Sequence, residues 1–229
     1  MTFHTLPQKR PSGRLDTDRL DGMLIFMTLN RSTSTRDLLL DAAETVASTQ
    51  GVSRLTFDAV AAEAGVSKGG LLHHFTNKDQ LIEAMVLRTA EGWRECYMSG
   101  YESVPEGPGR MVRGMLNKCL GDAESWTEQL RRAYGSVFAA LAYNPALIEP
   151  MRKAYADLYE YVKNDGLPCG VAEAVTTAID GLWLYWILGL RPVDQGEMDR
   201  MRKALETILK NSLGEVLLAS VNPPKKPKP

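Results

Sequence analysis

Residues 56–75 constrain the fold most tightly, because one short stretch contains the start and stop signals of two helices. Thr56 is a good helix-capping residue, and Gly65 can adopt the left-handed conformation that ends a helix. Ser67 can cap a second helix two positions later. Ala61 is small enough to let two helices cross closely. A tight turn containing glycine between two short helices predicts a helix-turn-helix.

The sequence as a whole predicts an all-α protein, because no stretch alternates apolar and polar residues with the period of a strand. Cap-competent residues precede the first helix, and Asn77, followed by Gln80 at the third helical position, precedes the longest one. The predicted helices span residues 35–49, 57–64, 68–75, 78–103, 110–124, 126–143, 146–165, 169–190 and 197–219.

The length of the chain allows one large domain, or a small domain followed by a larger one, between two polar ends. Residues 1–30 lack helical periodicity and are predicted to be a disordered arm, with Met1, Met23 and Met27 as alternative translation starts. The small domain is predicted at 31–80 and the larger one at 81–220. Residues 221–229, rich in proline and lysine, are predicted to be a disordered tail.

Cysteine and histidine usage excludes several classes of chemistry. The three cysteines Cys96, Cys119 and Cys169 lie far apart, which disfavours a disulfide framework and a zinc site and fits a reducing cytoplasm. No histidine follows His74, so the larger domain lacks histidine-based metal chemistry. No apolar run reaches the length of a membrane span. We therefore expect a cytoplasmic protein without metal, cofactor or membrane association.

The segment from Arg36 to Leu81 resembles the DNA-binding domain of the tetracycline-repressor (TetR) family. The resemblance rests on Thr56, Phe57, Val60, Ala61, Ala64, Gly65, Val66, Ser67, Lys68, Gly69, Leu71, His73, His74, Phe75, Lys78, Asp79, Gln80 and Leu81. It implies a three-helix DNA-binding domain, followed by a larger helical domain that binds a ligand and forms a homodimer. It further implies a regulator rather than an enzyme, namely a repressor that leaves a palindromic DNA operator when a small amphipathic or aromatic molecule binds.

The resemblance also implies that residues 68–75 form the recognition helix. The expected DNA-binding residues are Arg36, Thr56, Ser67, Lys68, Gly69, Gly70, Leu72, His73, His74 and Lys78. The glycines permit close approach of the backbone, and the lysines can reach a phosphate or a guanine edge. Leu72 departs from the family, whose members usually carry a tyrosine there. Residues 31–80 contain five basic and six acidic side chains, so charge alone does not favour DNA.

Aromatic residues in the larger domain suggest an apolar pocket between helices. The candidate ligand-binding residues are Trp93, Trp126, Tyr134, Phe138, Tyr155, Tyr159, Asp180, Trp183 and Trp186. Asp180 precedes Trp183 by one turn, and a carboxylate beside aromatic rings suits a cationic or polar-headed ligand. The alternatives are that each ring belongs to the core and that Asp180 forms a salt bridge or is solvated.

The last two helices are predicted to form the dimer interface. The final helix carries an apolar stripe of Met198, Met201, Leu205, Ile208, Leu209, Ser212 and Val216. Such a stripe needs a partner, which is either a second copy or another part of the same chain.

Two other classes of protein remain as alternatives. An all-helical enzyme is disfavoured because the chain has no phosphate-binding glycine loop and no nucleophile motif. A helix-turn-helix adaptor that contacts only proteins is the second alternative. The sequence leaves open the operator, the regulated genes, activation as against repression, and the effector, which could be lipid-like, an aromatic metabolite or a cationic drug.

Overall fold

The structure is a computed structural model that describes residues 34–121 and 123–221, without the side chains of 129, 132, 133, 136 and 215–221. All regular secondary structure in these residues is helical, as predicted. The predicted arm at 1–30 and nearly all of the tail lie outside the described residues.

Nine α-helices follow one another in the described part of the chain. They are α1 (Thr35–Gln50), α2 (Phe57–Ala64), α3 (Lys68–Leu72), α4 (Lys78–Ser103), α5 (Arg110–Cys119), α6 (Glu128–Tyr143), α7 (Glu149–Lys163), α8 (Val171–Ile187) and α9 (Gln195–Val221). Short 3-10 turns at Val52–Arg54, Ala123–Ser125 and Pro145–Ile148 connect some of them. The predicted limits of α2 and α4 are confirmed at both ends.

Side-chain caps fix the helix starts in the N-terminal part. The hydroxyl of Thr56 accepts the backbone N–H of Ala59 at 3.2 Å, and that of Ser67 accepts Gly70 N–H at 3.1 Å. Gly65 ends α2 with φ +68°, in the left-handed region that glycine enters without a steric penalty. The predicted helix-turn-helix is therefore confirmed, with the predicted capping residues at the start and end of its helices.

The predicted recognition helix at 68–75 is too long, because α3 ends at Leu72. Phe75 is only 2% exposed, and its N–H donates to the Leu71 carbonyl in a closing turn. Turning Phe75 into the core requires the chain to leave the helix, and two glycines within α3 lower its intrinsic helix propensity. His73 and His74 consequently lie in the turn after the helix.

Several helix ends in the larger part also differ from the prediction. The helix predicted at 110–124 ends at Cys119, and Ala123–Ser125 form a separate 3-10 turn. The one predicted at 146–165 is a 3-10 turn followed by α7, with proline in its first turn. At the end of α8, Gly189 takes φ +63° and terminates the helix before residue 190.

One continuous apolar core joins the small and the larger part. Helix α4 contributes to both ends of this core, with Leu81 and Met85 near the helix-turn-helix and Trp93 and Tyr97 beyond it. Helix α1 packs against α2, α4 and α6, so the DNA-binding unit rests directly on the larger part. No helix among the described residues is long and apolar enough to cross a membrane.

Candidate DNA interface and ligand cavity

Most of the predicted DNA-binding residues lie on one exposed part of the small domain. The exposed residues are Arg36, Thr56, Ser67, Lys68, Gly69, Leu72, His73 and His74. Gly70 and Lys78 are partly buried. Leu72 is 43% exposed on α3, so this large apolar side chain is available for an external contact such as a thymine methyl.

Glycine at position 69 is not required by the protein itself. A Cβ atom there would meet Ser67 Oγ at 3.9 Å, an ordinary contact, and the backbone is helical. Glycine destabilises a helix relative to alanine by about 0.5–1 kcal/mol. A flat, side-chain-free surface at Gly69 therefore fits a partner that approaches the backbone closely.

Both predicted lysines already have partners within the chain. Lys68 Nζ lies 2.9 Å from Asp58 Oδ2 in an exposed ion pair. Lys78 Nζ donates to the carbonyl of Val52 at 2.8 Å and lies 4.7 Å from the centre of the Tyr143 ring. Lys78 is thus not a freely projecting side chain, and a phosphate would have to share its ammonium with these contacts.

The acidic residues of α1 are partly neutralised from outside the small domain. Arg88 on α4 lies 2.9 Å from Asp41 and 2.6 Å from Glu44. Burial raises the pKa of Glu44, and the Arg88 guanidinium opposes that shift. The excess of acids counted within 31–80 therefore overstates the negative charge, because Arg88 lies outside that range.

A cavity of about 150 Å³ lies between α4, α6, α7 and α8. Its lining consists of Trp93, Tyr97, Tyr134, Val137, Phe138, Met151, Tyr155, Asp180, Trp183, Leu184 and Ile187. Ring contacts hold the walls together: the centres of Trp93 and Tyr155 are 4.1 Å apart, and those of Tyr134 and Trp183 are 4.6 Å apart. Such an apolar, aromatic lining is typical of a small-molecule site.

Six of the nine predicted ligand-binding residues line this cavity: Trp93, Tyr134, Phe138, Tyr155, Asp180 and Trp183. Trp126 and Trp186 instead pack behind Trp183, at ring-centre distances of 5.3 and 5.5 Å from it. Tyr159 is also absent from the lining. Sequence reasoning missed Tyr97, although its position one turn after Trp93 on α4 could have identified it.

Asp180 is the only charged residue among the described side chains that line this cavity. It is half-buried on α8 and has no ion pair or hydrogen bond with any residue that the structure describes. Burial raises the pKa of Asp180 to about 6. The structure thus shows no salt bridge between Asp180 and a described side chain, and its role in ligand binding stays a prediction.

Trp183 contributes a second unsatisfied polar group. Its indole Nε1 is buried and lacks a hydrogen-bond partner within the described part of the chain. By contrast, Trp126 Nε1 donates to the Cys119 carbonyl at 3.1 Å. A buried donor without an acceptor costs about 1–3 kcal/mol, so the packing around Trp183 is not optimised for stability.

The apolar stripe predicted on the last helix is split between two faces. Met198, Leu205 and Leu209 are buried inside the protomer, so the intramolecular partner covers this side of α9. Leu205 is therefore not a dimer residue exposed on a free surface. Ile208 is 44% exposed, and Leu184 and Leu188 of α8 are exposed as well. The side chain of Val216 is outside the described residues.

No cluster of three or more potential metal ligands occurs among the residues that the structure describes. The site is thus an exposed helix-turn-helix connected by α4 to an aromatic cavity. This combination defines a helix-turn-helix protein with a helical second domain.

Comparisons with known proteins identify the family. The model "Bacterial regulatory proteins, tetR family" matches residues 39–85, and "Tetracyclin repressor-like, C-terminal domain" matches residues 109–210. The HTH-type transcriptional regulator BetI of Klebsiella pneumoniae (strain 342) is 26% identical over 169 residues, 70% of this chain and 86% of the relative. The Escherichia coli K12 BetI is 24% identical over 168 residues, with the same shares.

Solved structures agree on the fold. A transcriptional regulator from Pseudomonas aeruginosa PAO1 has a TM-score of 0.62 at 19% identity, covering 80% of this chain and 91% of its own. The multidrug binding protein EbrR complexed with malachite green has a TM-score of 0.52 at 25% identity, covering 76% and 96%. The chain belongs to the TetR family and is a DNA-binding transcriptional regulator, not an enzyme.

Proposed function

We propose that this regulator is a cytoplasmic repressor that binds a palindromic operator as a homodimer. It releases the operator when a small amphipathic or aromatic molecule enters the cavity. The domain limits predicted from the sequence, 31–80 for DNA and 81–220 for ligand and dimer, are part of this proposal. The DNA contacts are assigned to the exposed residues around α3, with Lys78 shared between phosphate and its internal partners.

The observation that carries the proposal is the course of α4. This helix begins three residues after Phe75, which ends the helix-turn-helix, and places Trp93 and Tyr97 in the cavity wall. A ligand that displaces either ring moves a helix whose first residues pack against the DNA-binding unit, because protein interiors are close-packed. The EbrR complex with malachite green supports a ligand role for a domain of this fold.

Helix α6 offers a second connection between the cavity and the DNA-binding unit. It carries Tyr134 and Phe138 in the cavity wall, and its last residue is Tyr143, whose ring lies beneath the Lys78 ammonium. The next residue, Asn144, lies within 3.5 Å of Asp79 Oδ2. A movement of α6 would therefore be transmitted directly to the first residues of α4.

The homodimer is assigned to the exposed apolar surface of α8 and α9 at Leu184, Leu188 and Ile208. Exposed large apolar residues on two neighbouring helices favour a two-fold interface. Two recognition helices related by such an axis would enter successive major grooves about 34 Å apart, which requires an inverted repeat.

The test begins with selection of binding sites from random double-stranded DNA. We expect an inverted repeat, and a sequence without two-fold symmetry would contradict the dimeric mode of binding. Small aromatic compounds are then screened for a change in tryptophan emission. Compounds that change emission should weaken operator binding over the same concentration range, by about tenfold to a hundredfold for a coupling of about 1.4–2.8 kcal/mol.

Two aromatic variants of α8 separate the cavity from the rest of the helix. Trp183→Ala should blunt both the emission change and operator release while operator affinity without ligand stays intact. Tyr185→Ala is the matched control, because Tyr185 is exposed and outside the cavity lining. A normal response of Trp183→Ala to a releasing compound would place the effector site elsewhere. Retention on non-specific DNA that falls with rising salt would argue against the protein-adaptor alternative.

A further inference from the structure

We infer that the cavity selects a compact organic cation, with an ammonium centre held by Asp180 and surrounded by the rings of Trp93, Tyr97, Tyr155 and Trp183. This inference rests on the proposed function, because it specifies the chemical class of effector for the same cavity. It narrows the effector from any small amphipathic or aromatic molecule to one that carries a positive charge.

The first step of the argument is the isolation of Asp180. Its carboxylate borders the cavity, and every other lining residue is uncharged. No described side chain of arginine, lysine or histidine forms an ion pair with it, although both the exposed Asp58 and the partly buried Glu44 have basic partners. The described lining of the cavity therefore presents a single negative charge to a bound ligand.

The second step is the cost of that charge. Burial is the one cause that raises the pKa of Asp180 to about 6, so at neutral pH the carboxylate is ionised in a poorly solvated position. A half-buried charge without a partner destabilises the fold. Unpaired, strongly shifted acids of this kind in a cavity are typical of functional sites, where the ligand supplies the missing charge.

The third step is the aromatic wall. The Trp93 ring is in contact with both Tyr97 and Tyr155, at ring-centre distances of 4.4 and 4.1 Å. Faces of tryptophan and tyrosine attract cations, and quaternary ammonium groups are characteristic ligands of such aromatic cages. An aliphatic wall would bind a neutral ligand but would not attract a positive charge. Four rings around one carboxylate therefore favour a cation over a neutral ligand.

The neighbouring titratable groups do not compete with Asp180 for this role. Burial raises the pKa of Tyr97 on α4, Tyr134 on α6 and Tyr155 on α7, so all three hydroxyls are neutral near pH 7. The other described ionisable groups that act on these tyrosines are the buried thiols of Cys96 and Cys119 and the hydroxyl of Tyr159. The protonation of Asp180 therefore controls the charge of the cavity between about pH 5 and pH 8.

The size of the cavity sets the size of the cation. A dry cavity of about 150 Å³ in another protein holds a single benzene ring. The present cavity has a volume of about 150 Å³. A quaternary ammonium group is similar in size to that ring and fits this space, and an aromatic ring attached to it would extend past Phe138 and Leu184, which are exposed at the edge of the cavity.

Two compounds of the same shape provide the test. Phenyltrimethylammonium and tert-butylbenzene differ only in a positively charged nitrogen as against a neutral carbon. Binding to the full-length protein is measured by tryptophan emission at about pH 8. We expect the wild-type protein to bind the cation at least about tenfold more tightly than the neutral compound. Equal affinity, tighter binding of tert-butylbenzene, or binding of neither compound would overturn the inference.

Charge-neutralising variants assign the preference to one residue. Asp180→Asn should bind both compounds with similar affinity, whereas Glu173→Gln, two turns earlier on α8 and outside the lining, should keep the preference of the wild type. In the wild type, affinity for the cation should fall about tenfold from about pH 8 to about pH 5 as Asp180 becomes protonated, with no change for tert-butylbenzene. A preference retained by Asp180→Asn would overturn the assignment.

Operator binding separates this inference from the proposed function. If the cation binds with the expected preference but the operator stays bound, the cavity is a cation site and the proposed effector role fails. If neutral aromatic compounds release the operator and charge makes no difference, the proposed function holds and the inference fails.

Discussion

At the scale of single residues, Asp180 should reduce stability in the absence of a ligand. We expect Asp180→Asn to raise the free energy of unfolding by up to about 3 kcal/mol above pH 6, since each unit of pKa shift corresponds to about 1.4 kcal/mol. The folded pKa of about 6 lies above the usual 3.8, so the folded state binds its proton more tightly than the unfolded state. The penalty of Asp180 is thus absent well below pH 4 and grows as the pH rises to about 6.

Urea unfolding at about pH 4.5 and pH 7.5 measures this difference. The gain in stability from Asp180→Asn should be clearly larger at the higher pH. Glu173→Gln on the same helix is the control and should bring no gain in stability, because Glu173 lies in the first turn, where the helix dipole favours a negative charge. Equal effects of the two substitutions at both values of pH would indicate that Asp180 is well solvated in the folded protein.

Gly69 is the second residue at which stability and function should oppose each other. Gly69→Ala should raise the free energy of unfolding by about 0.5–1 kcal/mol, because alanine is the better helix former and the added methyl group meets no close atom. The same methyl group should weaken operator binding by standing between α3 and the DNA. Thermal unfolding and operator titration check the two effects.

Gly135→Ala on α6 is the matched control for this substitution. A Cβ atom at Gly135 likewise meets no close contact, since no described atom lies within 4 Å, so stability should rise by a similar amount without any change in operator affinity. If Gly69→Ala leaves operator affinity unchanged, α3 does not approach DNA through this part of its surface.

At the scale of helices, the closest approach of backbones is the crossing of α4 and α5. A Cβ atom on Gly100 would lie 2.8 Å from the Gly114 carbonyl oxygen, and one on Gly114 would overlap the backbone of Gly100. Gly114→Ala should therefore lower the free energy of unfolding by at least about 1–3 kcal/mol, because neither backbone can give way easily. Denaturant unfolding of Gly114→Ala is compared with that of Gly135→Ala, which is expected to be stabilising. Opposite changes in the free energy of unfolding would show that the position, and not the type of substitution, decides the effect.

Helix starts were predictable from the sequence, while several helix ends were not. Thr56, Ser67 and Asn77 cap α2, α3 and α4 through bonds to residues three positions later, which are purely local interactions. The end of α3 depends instead on Phe75 reaching a core formed with distant helices. Tertiary packing of this kind overrides local helix propensity, so it cannot be predicted from a short segment of sequence.

The candidate site was predictable to the extent that it follows helical spacing. Asp180 and Trp183 share a face of α8 and both line the cavity. Trp186 shares that face too but packs against Trp126, at a ring-centre distance of 5.2 Å. Which ring of a stripe faces a cavity and which faces another ring depends on the placement of the neighbouring helices, and that placement is not encoded in the spacing of one helix.

At the scale of the whole molecule, the dimer surface likewise could not be predicted from the residue spacing of a single helix. The sequence pattern of α9 identified one apolar stripe, but the protomer buries Leu205 and Leu209 and leaves Ile208 exposed. A single helix pattern cannot distinguish burial within a chain from burial between chains. The exposed residues of α8 and α9 are therefore the proper targets for a test of the dimer.

Ile208→Glu should convert the protein to a folded monomer that binds the operator weakly. A carboxylate at the centre of an apolar interface would be buried without a partner, which is strongly unfavourable, whereas in the monomer it is exposed to water. Sedimentation should show the mass of one chain, circular dichroism should show unchanged helix content, and operator affinity should drop because two half-sites are no longer bound together. Leu38→Glu on α1 introduces the same charge at another exposed leucine and should remain dimeric. A dimeric Ile208→Glu protein with normal operator affinity would exclude this surface and assign the two-fold contact to another part of the molecule.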